Sequence, residues 1–317
     1  MASPKKEEKN ILISDEKHGL PFSKGLIASS IMATSIPPNK AYEIAKFIED
    51  YLKEKGIYSI KSKDLTDLVI ETMESKMGAD YARKYKCWLM LGKLDKPLIV
   101  LIGGTTGVGK SKIATEVGSR LGITHIIPSD AIREVMRMLL SRELMPVLYR
   151  SSFDSWKSLK MPFSEKEDPV IVGFKEQAEV VNVGLTAVVR RAVREGINTI
   201  IEGVHIVPGF MEFNRFNNAV IVPLIIPMEA EGLHRSHFYI REVDTGGMRS
   251  LKRYRANFEN IRKVGEYIEK IAAKEKVPLI PSYSLDKAIQ EVVEAILNKV
   301  VDSCSSEIAA TGSGKEE

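Results

Sequence analysis

The run LIGGTTGVGKSK at residues 101–112 constrains the fold of this chain more than any other stretch. Four residues separate Gly104 from the triplet Gly109-Lys110-Ser111, which is the spacing of a phosphate-binding loop. Residues 97–102 before the loop predict a short buried strand, and apolar residues at helical spacing after it predict a helix. A glycine-rich turn between a strand and a helix is the context that this loop requires, so the run predicts an α/β fold.

The chemistry of such a loop explains why these residue types occur together. Glycines allow backbone N–H groups to surround an anion without a Cβ in the way, and the following helix N-terminus adds partial positive charge. Lys110 is expected to reach the β- and γ-phosphates of ATP as a catalytic cation, and the Ser111 hydroxyl is expected to bind Mg²⁺ or another divalent cation. The residues predicted to contact the nucleotide are Gly104, Thr105, Thr106, Gly107, Val108, Gly109, Lys110, Ser111 and Lys112.

Strand and helix patterns alternate from residue 97 to residue 302. This alternation predicts a domain with a P-loop NTPase-type parallel sheet flanked by helices, in which ligands bind at the carboxyl ends of the strands. Long helices are predicted over residues 174–195 and 250–274. The predicted strands are residues 98–102, 124–127, 198–201, 220–226 and 277–280.

Residues 11–92 have a different character and predict a small, mostly helical N-terminal domain. A short β-hairpin is predicted near its start, and Gly92 to Lys96 is the predicted hinge. Residues 1–10 and 303–317 are polar and are predicted to be disordered. The four predicted helices are residues 23–34, 39–55, 63–76 and 79–91.

Composition excludes several classes of protein. Two cysteines among 317 residues are too few for a disulfide framework, and a formal net charge of +4 is too small to indicate a nucleic-acid-binding surface. No segment approaches the ~20 apolar residues of a membrane-spanning helix, and the charged start MASPKKEEKN lacks the apolar segment of a signal peptide. We therefore expect a cytoplasmic protein that acts on a small molecule, without a membrane or nucleic-acid partner.

The strand predicted at residues 198–201 ends in Glu202-Gly203. A carboxylate at the end of a strand near a phosphate-binding loop is typical of the group that orients Mg²⁺ or its waters, so Ser111 and Glu202 are the predicted metal ligands. A strand that ends in an acid followed by glycine is also common in proteins without this chemistry. The motif alone therefore leaves an ordinary strand end open as the alternative.

The helix predicted after the second strand carries Asp130, Arg133 and Arg137 on one face, opposite an apolar face. Because this helix begins at the same edge of the sheet as the phosphate-binding loop, these three side chains are predicted to lie toward the acceptor substrate. The alternative is a solvated polar face on which Asp130 caps the helix.

Basic residues cluster at residues 234–255, where six Lys/Arg and two His accompany only two acidic residues. His234, His237 and Arg241 share one helical face, and Gly246-Gly247 predicts a hinge. The cluster therefore predicts a lid that neutralises a transferring phosphoryl group and excludes water. A solvated basic helix is one alternative, and a metal site at His234-x-x-His237 is another, although no further His or Cys ligand is nearby in the sequence.

Four motifs in this order resemble those of the archaeal 2-phosphoglycerate kinases: GTTGVGKS at 104–111, SDAIREVMR at 129–137, IEGVH at 201–205 and HRSHF at 234–238. The resemblance extends from residue 10 to residue 300. The N-terminal part, above all residues 67–83, resembles an ATP-cone, a small nucleotide-binding regulatory module. Its opening SDEKHG at 14–19 departs from the basic pair before Asp-Gly that many ATP-cones have.

The resemblance implies transfer of the ATP γ-phosphate to the 3-hydroxyl of 2-phosphoglycerate, which yields 2,3-bisphosphoglycerate, a precursor of the cyclic diphosphoglycerate that some archaea accumulate. Asp130 would accept the hydroxyl proton, or orient the hydroxyl or a Mg²⁺-bound water, and Arg241 would serve catalysis as well as binding. The N-terminal domain would bind nucleotide, dock a partner or form a homo-oligomer. The implied acceptor-binding residues are Asp130, Arg133, Arg137, His234, His237 and Arg241.

Residue types alone leave two other functions open. One is a kinase for another hydroxyl acceptor, such as a nucleoside, a hydroxylated antibiotic or a nucleic-acid 5′ end, for which Tyr149, Phe153 and Trp156 would supply stacking surfaces. The other is an ATP sensor that regulates a partner protein. The charged residues at the predicted acceptor site argue against a sensor.

Overall fold

The computed structural model describes residues 11–14, 19–34, 36–92, 94–159, 167–211, 215–228, 230–244 and 251–312. The chain divides into two compact units, Met1–Lys93 and Leu94–Glu317. Residues 1–10 and 313–317, which fall in the segments predicted to be disordered, lie outside the described residues.

The first unit combines a three-stranded sheet with four helices. The strands are β1 (Leu12–Ser14), β2 (Gly19–Pro21) and β3 (Ser59–Lys61), in the order β2-β1-β3, with β1 antiparallel to β2 and parallel to β3. The predicted hairpin is confirmed by the pairing of β1 with β2. β3 was not predicted, because three residues are too few to show an alternating pattern. The helices are α1 (Lys24–Met32), α2 (Pro38–Glu54), α3 (Ser62–Met77) and α4 (Ala79–Leu91).

Apolar stripes on these helices form the core of the first unit. Ile31, Ile48, Leu52 and Met73 are fully buried in one cluster with residues of β1 and α4. Proline begins α2 at Pro38, one residue earlier than predicted, because its fixed φ suits the first helical position. The unit therefore buries a core of its own.

The second unit is built on a parallel sheet, which confirms the predicted α/β fold class. Four strands lie in the order β5-β6-β4-β7, and each pairs with its neighbours in parallel. The predicted strand at 277–280 is reduced to a single parallel bridge between Ile225 and Leu279, since Pro278 has no N–H to donate to a longer ladder. The four strands are β4 (Leu98–Gly103), β5 (His125–Pro128), β6 (Thr199–Gly203) and β7 (Val220–Ile225).

Helices surround this sheet. The predicted helix at 250–274 is two helices that meet at Asn257, whose side-chain amide donates to the Arg253 carbonyl oxygen. The last helix continues to Gly312, ten residues beyond the predicted boundary at 302, because no proline or glycine interrupts it before that residue. The helices are α5 (Lys110–Leu121), α6 (Ser129–Leu139), α7 (Pro169–Glu195), α8 (Glu231–Asp244), α9 (Leu251–Ala256), α10 (Phe258–Lys274) and α11 (Leu285–Gly312), with short 3₁₀ turns at Pro146–Tyr149 and Ser155–Ser158.

The parallel sheet brings the ends of several strands to one edge. β4, at which every residue is buried, leads into the glycine-rich loop, and β5 leads directly into α6. The register of β4 with β6 aligns Gly103 with Gly203 and Ile102 with Glu202. Ligands of parallel α/β sheets bind at such an edge. Within the described part of the chain, every helix is too short or too polar to cross a lipid bilayer.

Candidate active site

The loop between β4 and α5 has a backbone that only glycine adopts easily. Gly104, Gly107 and Gly109 have φ angles of 136°, 91° and 85°, in the region that disfavours residues with a Cβ. Space is also short, because a Cβ on Gly104 would lie 2.4 Å from the Ile226 carbonyl oxygen. A Cβ on Gly107 would lie 2.7 Å from the ring of Phe238. The glycines therefore permit a close loop that residues with side chains could not form.

Lys110 begins α5 and turns its ammonium group back onto this loop. Its Nζ donates to the Thr105 carbonyl oxygen at 2.6 Å, and the residue is only 8% exposed. Burial lowers the pKa of Lys110, while the negative charges of Glu202 and Asp130 act in the opposite direction. The site therefore holds a cation at the loop with carboxylates on two neighbouring elements.

Ser111 and Glu202 contact each other across the sheet edge. The Ser111 hydroxyl donates to Glu202 Oε1 at 2.8 Å, and Glu202 is buried at the end of β6. A hydroxyl and a carboxylate are hard oxygen ligands of the kind that Mg²⁺ binds together with phosphate oxygens. This donor pair, in contact beside the phosphate-binding loop, fits a magnesium ion.

Asp130 lies in the first turn of α6, which follows β5 without a loop. Its side chain is 62% exposed, and its carboxylate accepts from Arg133 Nε at 3.2 Å. Burial tends to raise the pKa of Asp130, but the neighbouring positive charges of Arg133 and Lys110 and the hydrogen bond from Arg133 lower the pKa below its ordinary value. Asp130 is therefore an exposed anion at the sheet edge.

The two arginines of α6 have different surroundings. Arg133 Nη1 donates to the carbonyl oxygens of Leu148 and Arg150, at 2.8 and 3.4 Å, and the side chain is 17% exposed. Arg137 pairs with Glu134 at 2.8 Å, and its guanidinium lies 5.4 Å from the centroid of the Tyr149 ring. Arg133 thus ties α6 to residues 148–150, whereas Arg137 lies beside Asp130 and Arg133 on the predicted face, as the helical spacing requires.

Helix α8 contacts the phosphate-binding loop through two imidazoles. His234 Nε2 donates to the Thr106 carbonyl oxygen at 2.8 Å, and His237 Nδ1 donates to the Gly107 carbonyl oxygen at 2.9 Å. A carbonyl oxygen can only accept, so both ring nitrogens carry hydrogen. The backbone of α8 at Arg241 is described but its side chain is not, and the predicted Gly246-Gly247 hinge lies outside the described residues.

His234 differs in charge from what the sequence predicted. The residue is 1% exposed, and its ring lies against Phe238 and Phe258 with centroid distances of 5.1 and 5.3 Å. Burial lowers the pKa of His234 to about 4, and its Nδ1 has no hydrogen-bond partner among the described residues. A neutral imidazole cannot neutralise an anionic acceptor. In this structure His234 holds the phosphate-binding loop instead.

Tyr149, Phe153 and Trp156, which the sequence offered as stacking surfaces for a base, make contacts within the protein. Phe153 is 3% exposed and packs edge-on against Tyr254. The Tyr149 hydroxyl donates to the carbonyl oxygens of Arg137 and Leu140. Trp156 is half-buried, and its backbone packs so closely on α7 that a Cβ at Gly173 would lie 2.4 Å from it. All three rings therefore pack against apolar clusters of the protein.

Sequence reasoning missed a set of buried polar side chains behind Asp130. Ser129, Gln177 and His205 are each at most 1% exposed and contact one another. One signal could have revealed Gln177, because it interrupts the apolar stripe that Phe174, Ala178 and Val181 form on α7. The two contacts, Ser129 with His205 and His205 with Gln177, join residues that are distant in sequence, and no local pattern encodes them.

Comparison with known proteins identifies relatives over nearly the whole chain, although no protein-family model matches it. A 2-phosphoglycerate kinase of Methanopyrus kandleri is 40% identical over 93% of this chain and 89% of its own length. A 2-phosphoglycerate kinase of Methanothermobacter thermautotrophicus is 39% identical over 91% of this chain and 94% of its own length. A 2-phosphoglycerate kinase of Methanocaldococcus jannaschii is 35% identical over 98% of this chain and 97% of its own length.

Proposed function

This chain belongs to the family of archaeal 2-phosphoglycerate kinases, and we propose that it transfers the γ-phosphoryl group of ATP to the 3-hydroxyl of 2-phosphoglycerate, giving 2,3-bisphosphoglycerate and ADP. The observation that carries the proposal is the contact of Ser111 with Glu202 beside Lys110 in the glycine-rich loop. These residues combine a cation, a hydroxyl and a carboxylate where the loop binds phosphate. Phosphoryl transfer requires this kind of positioned charge more than covalent chemistry by the protein.

The loop residues 104–112 are proposed to bind the ATP phosphates. The glycines leave the backbone N–H groups of the loop accessible to phosphate oxygens, and the α5 N-terminus adds positive potential. Lys110 lies at the start of α5 with its Nζ on a loop carbonyl, within the same turn that would receive the phosphates. His234 and His237 hold the carbonyl oxygens of Thr106 and Gly107, which restrains the backbone of the loop.

Ser111 and Glu202 are proposed to hold Mg²⁺. Mg²⁺ held by these two residues would supply positive charge that neutralises the charge developing on the transferred group. Glu202 reaches this place because β6 lies next to β4 in the sheet, and Ser111 because it follows Lys110 in the first turn of α5. Neither residue alone would make the site.

The acceptor is proposed to bind along α6. Asp130 has a lowered pKa and is an anion at neutral pH, so it is suited to orient the acceptor hydroxyl and is a weak base. Arg137, His237 and Arg241 are proposed to neutralise the phosphate and carboxylate of the acceptor, together with Arg133. An acceptor with both a phosphate and a carboxylate explains why several cations occur on the elements that surround this edge.

The first unit is proposed to be an ATP-cone-like module that regulates or assembles the enzyme. What supports this is its sheet of three short strands with four helices, together with the resemblance of residues 67–83 to ATP-cones. A homo-oligomer formed through this unit is part of the proposal.

The test is release of ADP by the full-length protein with Mg²⁺ and ATP. The acceptors are 2-phosphoglycerate, 3-phosphoglycerate, glycerate and a nucleoside mixture, each alone, and phosphorus NMR identifies the product. Stimulation by 2-phosphoglycerate alone, with a product that contains two phosphate monoesters, is the expected result. Stimulation by another acceptor would replace the proposed substrate, and ATP binding without stimulation by any of them would favour the sensor.

Lys110→Met tests the assignment of the loop. We expect its turnover to fall by about 10²- to 10³-fold, as when one preorganised electrostatic group is removed from an active site. The matched control is Lys274→Met at the exposed end of α10, which should keep wild-type turnover. Equal activity of the two variants would contradict the role of Lys110.

A further inference from the structure

A series of three hydrogen-bonded, buried polar side chains lies behind Asp130, and none of the three has a role in the proposed reaction. Ser129 Oγ lies 2.8 Å from His205 Nδ1, and His205 Nε2 lies 3.2 Å from Gln177 Oε1. The exposed fractions of Ser129, His205 and Gln177 are 0%, 1% and 0%. Burying three polar side chains is costly unless each is hydrogen-bonded, so their arrangement is highly constrained.

The partners of Gln177 determine where the hydrogens lie. Its amide nitrogen donates to the carbonyl oxygens of Val147 and Arg150, at 2.5 and 2.9 Å, so its Oε1 must face His205. Because Oε1 can only accept, His205 Nε2 carries the hydrogen. Nδ1 of a neutral imidazole then accepts from the Ser129 hydroxyl. Burial is the largest cause that lowers the pKa of His205 to about 4, which agrees with a neutral ring.

Ser129, at one end of this hydrogen-bonded series, fixes the start of α6. Ser129 is the first residue of α6 and immediately precedes Asp130. The contact with β6 is very close, because a Cβ on Gly203 would lie 1.8 Å from Ser129 Oγ. Movement of His205 would therefore change the place at which α6 leaves the sheet and with it the position of the Asp130 carboxylate.

The other end fixes residues 147–150. Gln177 holds the Val147 and Arg150 carbonyls, and Arg133 holds the Leu148 and Arg150 carbonyls. Arg133 also donates to Asp130, so the bonds form a closed circuit that begins and ends at the first turn of α6. His205 is the only member of that circuit that joins the end of β6 to both α6 and α7.

We propose that His205 is a positioning residue for the acceptor step, which sets Asp130 against residues 147–150 through Ser129 and Gln177. The proposal rests on the proposed function for its kinetic consequence, since it assumes that the acceptor binds along α6. The phosphate-binding loop has its own contacts with α8 and α10, at Thr106, Gly107 and Thr105, so the hydrogen bonds that hold this loop do not pass through the circuit. Loss of His205 should therefore affect the acceptor and spare ATP.

Two variants divide the contacts of His205. His205→Asn keeps a polar atom near the position of Nδ1, toward Ser129, and loses the donor to Gln177. His205→Gln keeps a donor toward Gln177 and loses the acceptor for Ser129. The matched control is Thr199→Val, which removes a buried hydroxyl that donates to the Ile197 carbonyl at the opposite end of β6. All three variants lose buried hydrogen bonding in one strand or its continuation.

Steady-state kinetics of the full-length variants give the first readout. For both His205 variants we expect kcat/KM for 2-phosphoglycerate to fall by about 10- to 100-fold, because displacement of reacting groups by about 1 Å has effects of this size. The KM for ATP should stay within about twofold of the wild type, and Thr199→Val should resemble the wild type in both constants. Wild-type acceptor kinetics in both His205 variants, or an equal loss in ATP binding, would overturn the proposal.

Hydrogen exchange gives a second readout that needs no acceptor. In the His205 variants, amides at the start of α6 and at residues 146–150 should exchange faster than in the wild type, whereas Thr199→Val should leave them unchanged. Unchanged exchange at both places would overturn the positioning role. If wild-type protein failed to phosphorylate 2-phosphoglycerate, the proposed function would fail, and exchange would still decide whether His205 holds these segments.

Discussion

Acidification should destabilise the second unit well before its carboxylates titrate. His205 and His234 are both buried, and burial is the main cause that lowers the pKa of each from 6.5 to about 4. The unfolded chain binds protons more readily than the folded chain between these values. The contribution of the two neutral histidines to the free energy of unfolding is therefore complete above pH 6.5 and is lost progressively as the pH falls toward 4.

The size of the effect follows from the shift. One pH unit below the unfolded pKa costs about 1.4 kcal/mol for each histidine that stays neutral in the folded state. At pH 5 this amounts to roughly 2 kcal/mol for each histidine and roughly 4 kcal/mol for the pair. A loss of this size is a large part of the 5–15 kcal/mol or so by which typical domains are stable.

The two tryptophans of the chain allow the units to be observed separately. Trp88 lies in the first unit and Trp156 in the second. In Trp88→Phe protein, Trp156 fluorescence during urea unfolding at pH 7.5, 6 and 5 reports the free energy of unfolding of the second unit. In Trp156→Phe protein, Trp88 serves as the internal control, since His205 and His234 both lie outside the first unit.

His234→Gln and His205→Gln, in the Trp88→Phe background, should each remove about half of the pH dependence between pH 6.5 and 5. Glutamine can donate as the imidazole Nε2 does but does not titrate. Imidazole NMR titration of the unsubstituted protein measures the two pKa values directly, even if a variant does not fold. The reasoning would be refuted by a free energy of unfolding of the second unit that is constant from pH 7 to 5. Titration of His205 and His234 near pH 6.5 would refute it as well.

Three further predictions test the acceptor side and the first unit. Gly203→Ala should lower the free energy of unfolding by about 1–3 kcal/mol and impair use of the acceptor, because the new Cβ would overlap Ser129. The control is Gly232→Ala, where a Cβ would meet open space. Equal unfolding midpoints for the two variants would contradict the prediction. Arg137→Ala should raise the KM for 2-phosphoglycerate by about 10- to 100-fold, and the control is the exposed Arg142→Ala. An effect on the KM for ATP alone, or an equal effect of the control variant, would exclude Arg137 from the acceptor site. Deletion of residues 1–93 should keep phosphoryl transfer and change its dependence on ATP or the oligomeric state measured by light scattering; if neither changes, the first unit has no role in this enzyme's chemistry.

Much of the fold could be predicted because its signals are local. The four sheet strands appear as short apolar runs, and the glycine-rich loop has a spacing that depends only on neighbouring residues. The prediction was wrong where a local signal was weak. The helix break at Asn257 involves a residue without special backbone restrictions, and the polar residues after 302 resemble a disordered tail although they continue a helix.

The sequence by itself determined the α/β class, the glycine-rich loop and the candidate ligands Ser111 and Glu202, because chain order and spacing place these groups at one edge of the parallel sheet. Tertiary structure alone decided what the histidines do. His234 is 128 residues from the carbonyl it holds, and His205 is 76 residues from Ser129. Whether an imidazole is charged depends on burial and on partners contributed by other elements, and no local pattern contains that information.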